Sequence, residues 1–506
     1  MKRIIFRLFL WGTVIAGVFA MPAWGEEASN GAMQEEIRAL KQMVLELQKR
    51  IQHLEADRAK PEGAKSTATT MPSASKTAKE AAKQVPARSK KSLPQRAPSA
   101  RIEEAVTFAP EPQEEKAESL GTKSPSPLEL GGHEVRVGIS GAIQADVIHD
   151  FNALGLSPGD GQAREFITAN IPVGGPAADI TNRTAFSPNQ SYLTGWAETD
   201  TPWGPFKVYA NVNLMGSATE PQFQIYKAYG EWGWLKAGLD YTLWLNQSAM
   251  PSTLDFEGPN ATPENRFTQA SLKIPLRPGA EKKELFFTIG AEDVQADMTL
   301  PNGVTPVDQF PAVVGKFSYE PDWAHIELAG LYRRLKAEGV GYEQSIDGWG
   351  VAFSGSVDTW GKDSFVWGLE YGDALGAYIQ DTSGLGLDAA PVSVTNSSLK
   401  AISAFGAWGG YQHWWNRSLR SSATYGFVRL NSDFDVLPSP AGTGTYKQTQ
   451  YATMNLVWSP WPPFDVGLEY LYGHRTVTDA TAVDGSTTGH DHRLQFTMRW
   501  NFDWQR

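Results

Sequence analysis

The chain has 506 residues, no cysteine and a formal net charge of −11. Its mean hydropathy of −0.35, with only one strongly apolar window at the N-terminus, excludes a bundle of membrane helices. The missing cysteines exclude disulfides, thiolate metal sites, a lipoprotein anchor and a cysteine nucleophile. The 48 Gly, 18 Trp, 16 Tyr and 23 Phe are unusual for so polar a chain and fit neither a disordered protein nor an ordinary cytosolic enzyme.

Residues 1–25 carry three basic groups and no acid, and they read as a secretory signal. Lys2, Arg3 and Arg7 precede the apolar stretch Leu8 to Ala20, and Ala23-Trp24-Gly25 offers a small-residue cleavage site before Glu26. Residues 26–59 read as a periplasmic coiled coil. Ile37, Val44 and Ile51 occupy heptad position a, and Leu40, Leu47 and Leu54 occupy d. Glu36 and Arg50 at g face Lys41 and Glu55 at e of a parallel neighbour, so opposite charges favour in-register chains. β-branched residues at a with Leu at d lean towards two strands, although under four heptads the attached body could impose another number. Residues 60–130 are rich in Pro, Ala, Ser and Lys without apolar periodicity and read as a flexible linker. Its basic half (Lys76, Lys79, Lys83, Arg88, Lys90 and Lys91) could touch anionic lipid or peptidoglycan, the alternative being a soluble spacer; residues 56–101 as a whole hold eleven basic and three acidic groups. Residues 130–506 are left with −15, so a basic segment precedes an acidic body.

From 131 to 506 the pattern is one of alternation. Val135, Val137, Ile139, Ile143, Ala145 and Val147 interleave with Arg136, Ser140, Gln144 and Asp146. Leu494, Phe496, Met498, Trp500, Phe502 and Trp504 interleave with Arg493, Gln495, Thr497, Arg499 and Asn501. Such runs match the ~9–11 residues of a tilted strand crossing a bilayer. Sixteen strands are predicted, starting near 134, 190, 205, 222, 234, 265, 283, 309, 322, 345, 362, 398, 416, 447, 463 and 490. Short connections alternate with long ones, which is the pattern of an outer-membrane barrel with periplasmic turns and extracellular loops. The fold class expected is an all-β transmembrane antiparallel β-barrel carrying an N-terminal α-helical coiled coil. Trp203, Trp232, Trp234, Trp323, Trp360, Trp414, Trp415, Trp458, Trp461 and Trp504 fall at the short turns or the chain end, as an interfacial aromatic girdle would.

A lipid-facing Lys or Arg costs roughly 2–4 kcal/mol at mid-membrane, so Lys207, Lys236 and Arg499 should face the lumen with Tyr209 and Asn211. Sixteen strands enclose an aqueous channel. The connection Leu243 to Asn265 is compact and aromatic-bearing. Folded inward it would narrow the lumen, with Asp255, Glu257 and Asn260 facing basic wall residues such as Arg266 across a transverse field. The alternative is a loop lying over the mouth with its acids solvated.

Thr199-Asp200-Thr201-Pro202-Trp203-Gly204, Ala228-Tyr229-Gly230-Glu231-Trp232 and Thr253-Leu254-Asp255-Phe256-Glu257-Gly258-Pro259, within this order of segments, resemble the DcaP-like trimeric porins of Gram-negative outer membranes. The resemblance implies a homotrimer, a three-stranded N-terminal coil and passive uptake of small anions such as dicarboxylates. Tyr192 stands where that pattern would place an arginine, and Glu257 adds an acid to the inward loop. Partners expected are outer-membrane lipid and small polar or anionic solutes; no nucleic-acid partner and no cofactor are expected. No Ser–His arrangement is legible, so an enzyme is not expected. His490, Asp491 and His492, with His474, are weak candidates for a divalent metal, against the reading of plain loop histidines. A second functional reading is an envelope tether acting through the coil and basic linker.

Overall fold

The computed structural model describes residues 128–130, 133–155, 164–216, 221–277, 284–393, 395–431, 445–478 and 484–505. The expected signal segment and coiled coil, with Ile37, Leu40, Val44, Leu47, Ile51 and Leu54, lie outside the described residues. So does the linker, except for its last three residues. These correct the expected boundary: Leu128–Leu130 pairs antiparallel with the start of the first wall strand instead of continuing the linker.

Sixteen strands form the wall. They are β1 (His133–Asp150), β2 (Tyr192–Thr201), β3 (Gly204–Gly216), β4 (Pro221–Trp232), β5 (Leu235–Tyr241), β6 (Arg266–Pro275), β7 (Leu285–Asp293) and β8 (Ala312–Tyr319). They continue as β9 (Ala324–Gly339), β10 (Tyr342–Asp358), β11 (Ser364–Asp373), β12 (Ser403–Trp414), β13 (Leu419–Leu430), β14 (Tyr446–Trp461), β15 (Phe464–Val477) and β16 (Thr488–Gln505). Each pairs antiparallel with its sequence neighbour, and β1 closes the cylinder against β16 from Gly138↔Gln505 to Asp150↔Arg493. Closure leaves no wall edge unpaired, the condition for crossing a bilayer with strands.

Every predicted start lies within five residues of an observed one, but several strands run past the expected length. β1 and β16 each have 18 residues. Between β9 and β10 the chain makes a tight turn, Gly339 pairing with Tyr342 around Gly341 at φ 73°. A left-handed residue is the glycine signature of such a hairpin.

Alternation divides the wall into two faces. Ile143, Phe223, Leu328, Val351 and Met454 point out, at half or more of their full exposure, and form the lipid-facing belt. Tryptophans mark its lower rim: Trp203 is 75% and Trp360 77% exposed, both at short turns. A polar residue on the inner face is either in water or buried against something that enters the barrel. On β10 to β16 the inner residues are almost all buried. The core of this molecule is therefore inside the cylinder, made by loops.

Candidate pore constriction

The loop between β5 and β6 turns into the lumen and crosses to the far wall. Thr242 N donates to Asn265 O (2.9 Å), which pinches the loop at its base. The Glu292 carboxyl on β7 accepts from Thr242 Oγ1 (2.8 Å) and from Leu243 N. Asn246 caps a short 3-10 turn, Gln247–Ala249, by accepting from Ser248 N. Beyond this the loop is tied strand by strand. Trp244 Nε1 donates to Glu370 on β11 (2.7 Å), and Trp408 Nε1 on β12 donates to Ala249 O (3.0 Å). Asn260 Nδ2 donates to Thr449 Oγ1 on β14 (2.7 Å), and Asn455 Nδ2 donates to Ser252 O (2.9 Å). Leu254 N and Asp255 N both donate to Glu469 on β15 (3.0 and 2.8 Å), while Gln495 Nε2 on β16 donates to Leu254 O (2.8 Å).

Glycines on the inner face make the bed for this loop. A Cβ at Gly410 would sit 2.6 Å from Pro251, and one at Gly467 would sit 2.6 Å from Leu254 Cδ1; Gly426 is occupied in the same way by Asn260. Side chains at these positions would hold the loop off the wall. Gly258 turns the chain at φ 68°, and its N–H donates to Asp255 Oδ2 (3.0 Å).

Two further connections enter the barrel, which the sequence reading did not foresee. The segment following β1 brings Phe166 and Ile171 against Tyr451 and Leu471. The segment following β11 brings Leu375, Tyr378 and Ile379 against Trp244 and Ala261. The three loops lock together. Phe166 N donates to Asp255 Oδ1 (3.0 Å), Gln380 Nε2 donates to Pro259 O (3.1 Å), and Ala169 N donates to Asp381 (2.8 Å). Runs such as Phe166-Ile167 and Tyr378-Ile379 were visible signals: solvated extracellular loops have little use for them.

The expected pairing across the lumen is corrected. Asp255 is fully buried and lies 3.9 Å from Arg493 on β16, with Tyr451 OH donating to it, and it does not face Arg266. Asn260 is buried against Thr449. Arg266 lies over the Tyr226 ring at 3.6 Å, where a bulge in β4 displaces that residue. Of the three loop residues, only Glu257 is partly open, and its charged neighbours are acids. Burial, then Glu165 and Glu264, pushes its carboxyl well above the usual range. Burial also raises Asp255 to about 8 and Glu264 to about 8, Arg493 and Arg266 respectively opposing the rise. Asp381 and Asp388 in the third loop are raised too, the latter to about 6.

The wall residues lie on the inner face. Lys207 is half-buried, its ammonium 5.1 Å from the centre of the Trp196 ring. Tyr209 stacks on Tyr229 at 4.8 Å, and Asn211 Nδ2 donates to Thr194 (2.6 Å). Lys236 lies 3.8 Å over Tyr229 and is ion-paired with Asp240. Arg499 donates to Tyr192 OH (3.1 Å), so the tyrosine at the departing position holds an arginine from β16. Two cations went unforeseen: Arg164, 3.7 Å over Phe256, and Lys227, 5.3 Å from both Tyr209 and Tyr241. Lys227 could have been found from its spacing to Tyr229 and Glu231; Arg164 lies in a connection with no period. Together these cations form a series, each on an aromatic face, along β3 to β6 and β16 with Arg164 on the loop following β1.

The metal candidates are corrected by strand alternation. Asp491 is on the inner face and buried, whereas His490 and His492 are on the outer face, so the three cannot converge. Among the described residues one other group has suitable spacing, Glu320, His325 and Glu327. Lys273 and Lys316 already pair with its two carboxylates (2.8 and 2.9 Å).

A closed sixteen-strand wall narrowed by an inward loop is the geometry of an outer-membrane channel. The family model described as DcaP outer membrane protein matches residues 140–502. The chain belongs to the DcaP outer membrane protein family. Among solved structures, the outer membrane channel DcaP of Acinetobacter baumannii is similar at TM-score 0.60 and 17% identity, over 75% of this chain and 100% of that one. An anion-selective porin from Comamonas acidovorans shares 11% identity at TM-score 0.42, over 73% of this chain and all of its own. OmpT of Vibrio cholerae shares 9% at TM-score 0.42, over 74% of this chain and 99% of its own. These last two are too distant to bear on selectivity. No curated protein sequence matches the chain.

Proposed function

We propose that this outer-membrane channel passes small hydrophilic solutes by diffusion and prefers small organic anions such as dicarboxylates. One observation carries the preference: buried cations and buried acids in the lumen are not equivalent. Arg164, Arg493 and Arg499 are buried guanidinium groups, and a guanidinium stays cationic in proteins. The loop carboxyls Asp255, Glu257 and Glu264 are pushed towards their neutral forms. The formal −15 of residues 130–506 thus overstates the negative charge a permeating ion meets. Charges set in low-dielectric walls focus their potential into the passage and raise the local concentration of the opposite ion.

The test is the reversal potential of the purified channel in a planar bilayer under a salt gradient, followed by liposome swelling with a dicarboxylate. An anion-selective sign with faster swelling supports the reading, and cation selectivity refutes it. We propose that the channel assembles as a homotrimer with its N-terminal coil in the periplasm and catalyses no reaction, with Glu257 facing the passage at the constriction while Asp255 and Asn260 hold the inward loop to the wall. The tether reading separates by deleting residues 26–130. A channel keeps its unit conductance after that deletion, whereas a tether loses envelope integrity with uptake unchanged.

A further inference from the structure

The short turn between β8 and β9 carries Glu320, and the start of β9 carries His325 and Glu327. His325 and Glu327 are two residues apart, so alternation puts them on one face. It is the inner face, because the next residue, Leu328, points to lipid. The three side chains therefore meet at the short-turn mouth of the lumen, beside the root of the inward loop.

His325 stands between that loop and two carboxylates. Its Nδ1 is 3.2 Å from Ser248 Oγ in the turn Gln247–Ala249, and its Nε2 is 2.9 Å from Glu327 Oε1 and 3.9 Å from Glu320 Oε1. One ligand atom from each of the three lies within 4.8 Å of the others. Glu320 Oε1 is buried and accepts no hydrogen bond: Lys273 Nζ lies 2.8 Å from it but donates to Oε2. Lys316 holds the far oxygen of Glu327, Oε2, at 2.9 Å, and Ser318 Oγ donates to Oε1 at 3.1 Å.

Bonds of about 2.0–2.1 Å to a tetrahedral ion set neighbouring ligand atoms about 3.4 Å apart. The two distances at Nε2 flank that value, so each carboxylate oxygen has to move by only about half an ångström. Imidazole with carboxylates suits zinc, whereas magnesium and calcium take shells of oxygen alone. With Nδ1–H donated to Ser248 Oγ, Nε2 is left open to a metal, and such an outer partner is the usual support of a metal-bound histidine. Lys273 is the rival cation. Its side chain is half exposed, and an exposed ion pair contributes little, so it yields to water when a divalent ion arrives.

We propose that this mouth of the channel binds a zinc ion through Glu320 Oε1, His325 Nε2 and Glu327 Oε1, with water in the fourth position. Ser248 makes the ion part of the loop's anchorage, since a metal-held His325 fixes the turn Gln247–Ala249 against the rim of the barrel.

Equilibrium dialysis of zinc against the folded full chain tests this. Histidines elsewhere also take up zinc, so the comparison is between variants. Glu320→Gln and His325→Gln should each weaken one site more than tenfold, and Ser248→Ala, which removes only the outer partner, about tenfold. Lys273→Gln should tighten the same site about fivefold, because the rival cation is gone. An ion-pair network without a metal predicts no such gain. Mobility of the unheated protein in gels reports that each barrel is folded. Unchanged zinc binding in Glu320→Gln and His325→Gln, or equal binding in the parent and Lys273→Gln, overturns the site, and displacement by equimolar magnesium overturns the choice of zinc. In planar bilayers, zinc should reduce switching between conductance substates in the parent and not in Glu320→Gln. No response in the parent, or one that persists in Glu320→Gln, overturns the link to the loop.

Discussion

Replacing Glu469 by alanine should loosen the tip of the inward loop. Its carboxyl accepts from Leu254 N, Asp255 N and Asn455 Nδ2, and all these groups are buried. Asn455 keeps its second partner, Ser252 O, but the two backbone donors have no other acceptor of that kind within the wall. Leaving a buried donor unsatisfied costs about 1–3 kcal/mol, so the docked tip loses about 2–6 kcal/mol relative to a lifted one in water. At 1.4 kcal/mol per factor of ten, the lifted population rises about thirtyfold to twenty-thousandfold. Gln190, Gln495 and Phe166 still hold the same two residues, so the expected behaviour is flicker between conductance levels instead of permanent opening. Glu469→Gln keeps one carbonyl acceptor and should fall between. Single-channel recording in planar bilayers reads this directly. If Glu469→Ala shows the parent's conductance and substate occupancy while its barrel is folded, the tip is not held as described.

Three further outcomes follow from the same lumen. Asp255 and Glu264 have folded-state pKa values raised to about 8, so ionisation between about pH 7 and 9 adds negative charge and the anion-to-cation permeability ratio should fall over that window; the stability contributed by the protonated forms is full below about pH 4, declines as pH rises towards about 8 and is gone above it. A flat reversal potential from pH 6 to 9 would contradict this. Arg493→Met strands Asp150, bonded at 2.6 Å, beside Asp255 at the wall seam; breaking such a buried pair costs about 3–5 kcal/mol and should appear as a lower melting temperature in heat-modifiability gels. Gly467→Ala puts a methyl group 2.6 Å from Leu254 Cδ1, so about 1–3 kcal/mol of overpacking should raise channel noise while leaving barrel assembly intact.

The wall was legible because membrane crossing imposes a strict rule on every strand. Period-two alternation placed Lys207, Lys236 and Arg499 inward, and the tryptophans located the turns. The lumen was less legible, because what fills it obeys no period. Asp255 looked like a channel-facing acid on composition alone. Its partners Phe166, Tyr451 and Arg493 come from three distant segments, and nothing local to Thr253–Pro259 points to them. Arg266 meets the ring of Tyr226, a residue set out of register by a bulge in β4, and no pattern local to Arg266 announces that contact. Weighing His490, Asp491 and His492 as a metal set runs against the strand predicted from near 490, which already implies that alternation separates Asp491 from the two histidines, as β16, which begins at Thr488, does.

The loop that narrows the passage is encoded early, but its anchors are encoded late. Trp244 waits for Glu370, 126 residues on, and Leu254 waits for Glu469 and Gln495, 215 and 241 residues on. Contacts of such separation form last, since the chain between must be ordered before they yield anything. Until β15 and β16 are in place, the cylinder has neither its seam nor the bed for its loop. A chain stalled with fourteen strands inserted would be an open, wide hole and not a partly working channel.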